Sequence, residues 1–88
     1  MFYVYVLHGK SSKRLYTGCT ADLRKRFKEH NEGKSVYTKR DTYALIYYEA
    51  CMHQKDAFTR EKYLKTGMGK RYLKNRLKRF LALTGCSN

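Results

Sequence analysis

Eighty-eight residues suffice for one domain with a modest hydrophobic core and leave no room for a second. Lys and Arg number 20 against 7 Asp and Glu, a formal net charge of +13, so the expected partner is a polyanion, nucleic acid ahead of an anionic membrane surface. No apolar run approaches the ~20 residues of a membrane span, and the start lacks the basic, apolar, small-residue pattern of a signal peptide, so a soluble, cytoplasmic protein is expected.

In chain order, residues 2–7 (FYVYVL) and 14–19 (RLYTGC) read as strands joined by the turn-forming HGKSSK, in which Gly9, Ser11 and Ser12 favour a reversal. In "TADLRKRFKEHNEG" Thr20 or Asp22 can cap a helix over 22–32 and Gly33 can end it. Residues 34–42 are polar and irregular. "YALIYYEA" (43–50) is rich in β-formers and gives a third strand. "QKDAFTREKYLK" (54–65) has helical spacing, Gly67 and Gly69 break it, and 70–84 form a last helix with Leu73, Leu77, Phe80 and Leu81 on one stripe. The expected fold is α/β in the α+β sense, a small three-stranded antiparallel sheet flanked by helices in the order ββαβαα, as one domain over 1–88. Cys19, Cys51 and Cys86 are odd in number and far apart, which argues for packed thiols in a reducing compartment over a disulfide framework or zinc site.

If Tyr5 lies opposite Tyr16, strand alternation sorts the hairpin into two faces. Phe2, Val4, Val6, Leu15, Thr17 and Cys19 make an apolar core face. Tyr3, Tyr5, Leu7, Arg14, Tyr16 and Gly18 make a wetter one, with two phenols side by side and Gly18 leaving room for another molecule. Cross-strand tyrosines also stabilise hairpins without further purpose, so the helices decide the matter. On the first, Arg26 and His30 form a stripe beside the buried Leu23 and Phe27, while Arg24, Lys25 and Lys28 read as a solvated face. On the second, Ala57, Phe58, Leu64 and Lys65 define the inward side, and Glu61 falls at its centre. A carboxylate there must meet a cation, whether Arg26, a lysine or a metal. A half-buried salt bridge is the plain alternative, and Glu49 at the end of the third strand is a distant second candidate.

With these residues in view, the sequence resembles the GIY-YIG nuclease family, closely its small members similar to the catalytic domain of the excinuclease nicking subunit. Tyr3-Val4-Tyr5 stands where the family has GIY and Tyr16-Thr17-Gly18 where it has YIG. Arg26 and His30 match the Arg-x-x-x-His helix, and "DAFTREKYLK" carries the family's helix glutamate at Glu61. Tyr3 replaces the leading glycine and Thr17 the middle isoleucine. Asn75, the sole candidate for an asparagine that many members carry, lies roughly 200° round the helix from Leu73 and is not given that role.

The resemblance implies a hydrolytic endonuclease that cuts DNA with one divalent cation, Mg²⁺ or Mn²⁺, in repair or recombination. Glu61 would be the protein's metal ligand, Arg26 would hold the non-bridging phosphate oxygens, and His30 would relay a proton or orient the phosphate. Tyr16 would act as base or position the attacking water, although Tyr5 could exchange roles with it. A free phenol has a pKa near ~10, so its surroundings would have to lower it. Lys13 and Arg14 on the hairpin (with Lys10), Lys39 and Arg40 before the third strand, and Lys70, Arg71 and Lys74 on the last helix (with Lys78) are candidate DNA contacts. Tyr37 is a candidate stacking residue. A targeting protein is a further candidate partner, and a monomer is expected. The alternatives are a non-catalytic basic DNA- or RNA-binding module on the same scaffold and a small RNA- or ribosome-associated protein.

Overall fold

The computed structural model describes residues 1–32 and 41–84. They form β1 (Phe2–Gly9), β2 (Leu15–Thr20), α1 (Leu23–Asn31), β3 (Tyr43–Cys51), α2 (Gln54–Leu64), α3 (Gly67–Arg76) and α4 (Lys78–Leu83). This is the expected ββαβαα order with the last helical stretch in two pieces. The strands make one antiparallel sheet in the order β2-β1-β3. Among the described residues no helix is long and apolar enough to cross a membrane.

The hairpin register departs from expectation. β1 runs two residues past Leu7, and the turn is correspondingly tight: the Gly9 N–H donates to the Arg14 carbonyl and the Lys13 N–H to the Gly9 carbonyl, both at 2.9 Å. Lys13 closes the reversal at φ 62°. Asp41 clamps it from outside, accepting from the Ser12 hydroxyl at 2.8 Å and the backbone N–H groups of Ser12 and Ser11 at 3.1 Å. The Ser12 bonds above all hold its carboxyl well below the usual carboxylate range. Tyr5 therefore pairs with Gly18, and Leu7, not Tyr5, pairs with Tyr16. A slip of two keeps the alternation intact, so each hairpin side chain still points to its expected face.

Both faces are buried, however, because β1 is the central strand and helices cover each side. Val4 and Val6 pack with Ala57, Leu64 and Leu73 from α2 and α3. On the other side Tyr5, Leu7 and Tyr43 pack with Tyr16, Leu45 and the Leu23/Phe27 stripe of α1. The face expected to be wetter is thus the floor of a second core, and Tyr5 and Leu7 are fully buried in it.

Local chemistry sets the helix ends. Asp22 caps α1 by accepting from the Lys25 N–H at 3.1 Å. Asn31 at its last turn clips onto β3, accepting from the Tyr43 N–H at 2.7 Å and donating to the Tyr43 carbonyl at 3.0 Å. Gly33, expected to end this helix, lies outside the described residues. In α2 the buried positions are Ala57 and Leu64, while Phe58 and Lys65 are exposed, contrary to the inward set read from spacing. One residue is a 100° step, and α2 buries only a narrow stripe against the sheet and α3.

Gly67 and Gly69 do not break the helical pattern; they begin α3, which Thr66 caps by accepting from the Gly69 N–H at 3.1 Å. A Cβ on Gly69 would overlap the Tyr63 carbonyl and Leu64 Cα, so this glycine lets α3 start hard against the end of α2. The chain leaves helical geometry at Leu77 (φ −110°, ψ 19°), which splits the predicted 70–84 helix. Leu73 and Leu81 are buried and Leu77 partly so, whereas Phe80 leaves the stripe and packs edge-on against His8, centroids 5.5 Å apart.

His8 is buried with no hydrogen-bond partner on Nε2 among the described residues, and burial followed by Lys13 lowers its pKa. His30 is fully buried and shifted the same way, by burial and then Arg26. A histidine with a depressed folded pKa contributes stability that is complete above its unfolded value and is lost as the pH falls from there towards the folded value. Thermal melts are therefore expected to lose stability progressively below pH ~6.5. His8→Leu, which removes one titration and an orphaned nitrogen, should flatten that acid limb.

Candidate active site

The site begins with an exchange of space across the hairpin. Gly18 has no side chain, and the Tyr5 phenol opposite lies over it; a Cβ there would overlap the hydroxyl. The room expected for another molecule is filled by the chain's own ring. Because β2 is an edge strand, this crossing carries the Tyr5 hydroxyl towards the rim of the sheet. There it hydrogen-bonds His30 Nε2 at 3.0 Å. The Tyr16 ring meets the His30 ring edge-on at 4.8 Å between centroids and stands 6.4 Å from that of Tyr5. The two phenols are diagonal neighbours, not a directly opposed pair.

Burial separates their chemistry. It pushes the Tyr5 hydroxyl up to about 12, against the opposing pull of the Arg26 guanidinium beside it, so this phenol stays protonated at neutral pH. Tyr16 retains exposed surface. Arg26 is anchored by Glu29 at 3.2 Å with its side chain 34% exposed, which holds the guanidinium between the buried hydroxyl and solvent. His30 is neutral near pH 7 and touches no solvent.

Glu61 approaches from the α2 side. Its carboxylate is 21% exposed and takes an ion pair from Lys65, one turn on, at 3.0 Å. The cation that the sequence demanded is thus a lysine and not Arg26. Its charge still reaches the rim, where it adds to the upward shift of the Tyr5 hydroxyl and, after burial, of the Cys19 thiol. Lys65 is more than half exposed, so the pair is weak and its cation is free to swing aside. Glu49 has a different purpose. Against the upward push of burial, Arg60 and then Tyr47 hold its carboxyl below the ordinary range. Arg60 grips it at 3.0 Å, Tyr47 donates at 2.7 Å, and the Arg60 guanidinium lies over the Tyr72 and Tyr63 rings at 4.8 and 5.2 Å. That network ties β3 to α2 and α3.

The donor set constrains any metal. Among the described residues no three His, Cys, Asp or Glu side chains are grouped, which fits neither zinc nor a calcium cage. A single half-buried carboxylate fits a small hard cation that keeps most of its waters and shares substrate phosphate, the habit of Mg²⁺.

The basic candidates divide. Lys13, Arg14, Lys70 and Lys74 converge on one groove of about 600 Å³ that also takes in Tyr16 and Lys65. Arg71 lines a separate depression with Met68, Tyr72 and Asn75. Lys39, Arg40 and Tyr37 lie outside the described residues. Spacing did not disclose Gly18 as the seat of Tyr5 or Lys65 as the partner of Glu61, although the Glu61/Lys65 interval is a readable i,i+4 pair.

The sheet thus carries paired tyrosines at one rim, an Arg/His helix over one face and a glutamate-bearing helix over the other. The GIY-YIG catalytic domain family model matches residues 1–75, and the chain belongs to that family of nucleases. Curated relatives include the UPF0213 protein in the ldhD 5′ region of Pediococcus acidilactici, 41% identical over 81 residues, covering 84% of this chain and 82% of that one. A UPF0213 protein of Clostridium perfringens is 43% identical over 67 residues, covering 74% and 71%. No solved structure matches the chain at comparable significance.

Proposed function

We propose that the protein is a divalent-metal-dependent DNA endonuclease whose scissile phosphate sits at the β2 rim among Tyr16, Arg26 and Glu61. The observation that carries this reading is that Arg26 from one face of the sheet and Glu61 from the other both act on the Tyr5 hydroxyl, Arg26 also facing Tyr16, beside a groove of basic residues that includes Tyr16. Glu61 would hold the cation, Mg²⁺ or Mn²⁺, which when bound supplies Lewis-acid stabilisation of charge on the phosphoryl oxygens.

The chain's own residues account for the rest. Tyr16, the phenol with exposed surface, positions the attacking water, whose proton passes to solvent; Tyr5, held protonated by burial, cannot be a base. Arg26 offers its planar fork to the non-bridging oxygens and stays cationic throughout. His30 has no exposed surface and acts through the Tyr5 hydroxyl as a positioning residue, so its contribution is to the proton network and not to direct phosphate contact. Attack by water on phosphorus breaks the bond to the 3′ oxygen, which leaves as an alkoxide and takes up a proton from solvent to become a hydroxyl, balancing the proton that the attacking water loses.

The test is cleavage of supercoiled plasmid and of duplex, nicked, flapped and branched oligonucleotides. Nicking that requires Mg²⁺ or Mn²⁺ and stops on chelation is expected. DNA binding with no turnover on any of these substrates would instead make the chain a non-catalytic basic module on this scaffold.

A further inference from the structure

The groove beside the site has two characters at once. Its walls are Lys13 and Arg14 from the hairpin turn and Lys65, Lys70 and Lys74 from the end of α2 and from α3. Its floor is the edge of β2, where Leu15 and Tyr16 keep partly exposed faces, backed by the buried Leu64 and Leu73. Lysine stems add further apolar wall below their charged heads. A duplex presents phosphates outward and keeps its bases stacked inside, so it would use the rim and leave this floor bare. An unpaired strand has both parts to offer: phosphates for the cations and base faces for Leu15 and the Tyr16 ring.

From this juxtaposition we infer that the groove holds an unpaired DNA strand, threaded between the hairpin turn and α3 so that it leads to the phosphate at Tyr16. The inference rests on the nuclease reading above and deepens it. The substrate class is DNA with a single-stranded arm beside the cut, and Lys13, Arg14, Lys70 and Lys74 track that arm's backbone. Arg71, on another part of α3, takes no part in it.

Fluorescence anisotropy in the presence of a chelator tests this apart from cleavage, using a labelled unpaired 20-mer (about 20 nucleotides, long enough for one such site), the blunt duplex of the same length, and a flapped duplex. The unpaired and flapped DNAs are expected to bind at least about fivefold more tightly than the blunt duplex. Lys70→Gln/Lys74→Gln, both on the surface, should weaken the unpaired strand and lower its log–log salt slope by about 1.4, or about 0.7 per cation removed. Leu15→Ser should weaken the unpaired strand by about fivefold and leave the duplex unchanged, while Arg71→Gln should leave the preference for the unpaired strand over the duplex unchanged. Equal or tighter binding of the blunt duplex, or an unchanged salt slope in the lysine variant, overturns the proposal even if metal-dependent cleavage is observed. Loss of cleavage with these preferences intact would instead count against the nuclease reading alone.

Discussion

Glu61→Gln is expected to reduce the metal-dependent cleavage rate by about a thousandfold or more, the loss of roughly 4 kcal/mol of transition-state stabilisation, with DNA affinity nearly unchanged. Glutamine keeps the volume and removes the charge that would hold a cation. The half-buried carboxylate is paired with a largely exposed Lys65, so folding loses little: exposed ion pairs of this kind contribute about 0–1 kcal/mol. Single-turnover cleavage and anisotropy on the same preparation separate the two quantities. A variant that cuts at the wild-type rate would remove Glu61 from the chemistry.

Gly18→Ala is expected to damage fold and activity together. The added methyl would overlap the Tyr5 hydroxyl and ring, and a packed core answers such insertion with displaced side chains at about 1–3 kcal/mol. For a domain of this size that is a fall of at least about 4 °C in Tm. The displaced phenol would also lose its bond to His30 and its place beside Arg26, so cleavage should fall even at temperatures where the variant is folded. Gly67→Ala is the control: open space surrounds that position at the start of α3, and a small gain in stability is expected there.

The contrast between those glycines shows what a sequence discloses and what it withholds. Strand and helix identities followed from alternation and 3.6-residue spacing, and the faces of the hairpin survived a register slip because two is the period of a strand. Legible too were the Arg26/His30 stripe beside Leu23 and Phe27, whose histidine meets both hairpin tyrosines, and Glu61, a carboxylate where spacing demands an apolar residue. What could not be read was depth. Whether the Tyr5 face was wet depended on α1 folding over it, a long-range packing choice that leaves no local trace. Gly18 was noticed but given the wrong occupant, because the filling ring comes from the neighbouring strand. Gly69 looked like a helix breaker until the closeness of α2 gave its missing side chain a reason. Lys65 was assigned inward by spacing alone, whereas it is exposed and pairs with Glu61 one turn back.

In the proposed mechanism Tyr16 and Glu61 serve one phosphodiester, and a double-variant cycle measures their coupling directly. Cleavage rates should be determined for wild type, Tyr16→Phe, Glu61→Gln and the combination under single-turnover conditions. Groups that act as a unit are strongly non-additive, so the combined variant should be scarcely slower than the slower single one. A combined loss equal to the product of the two separate losses would mean that these side chains act independently, and would contradict a shared centre.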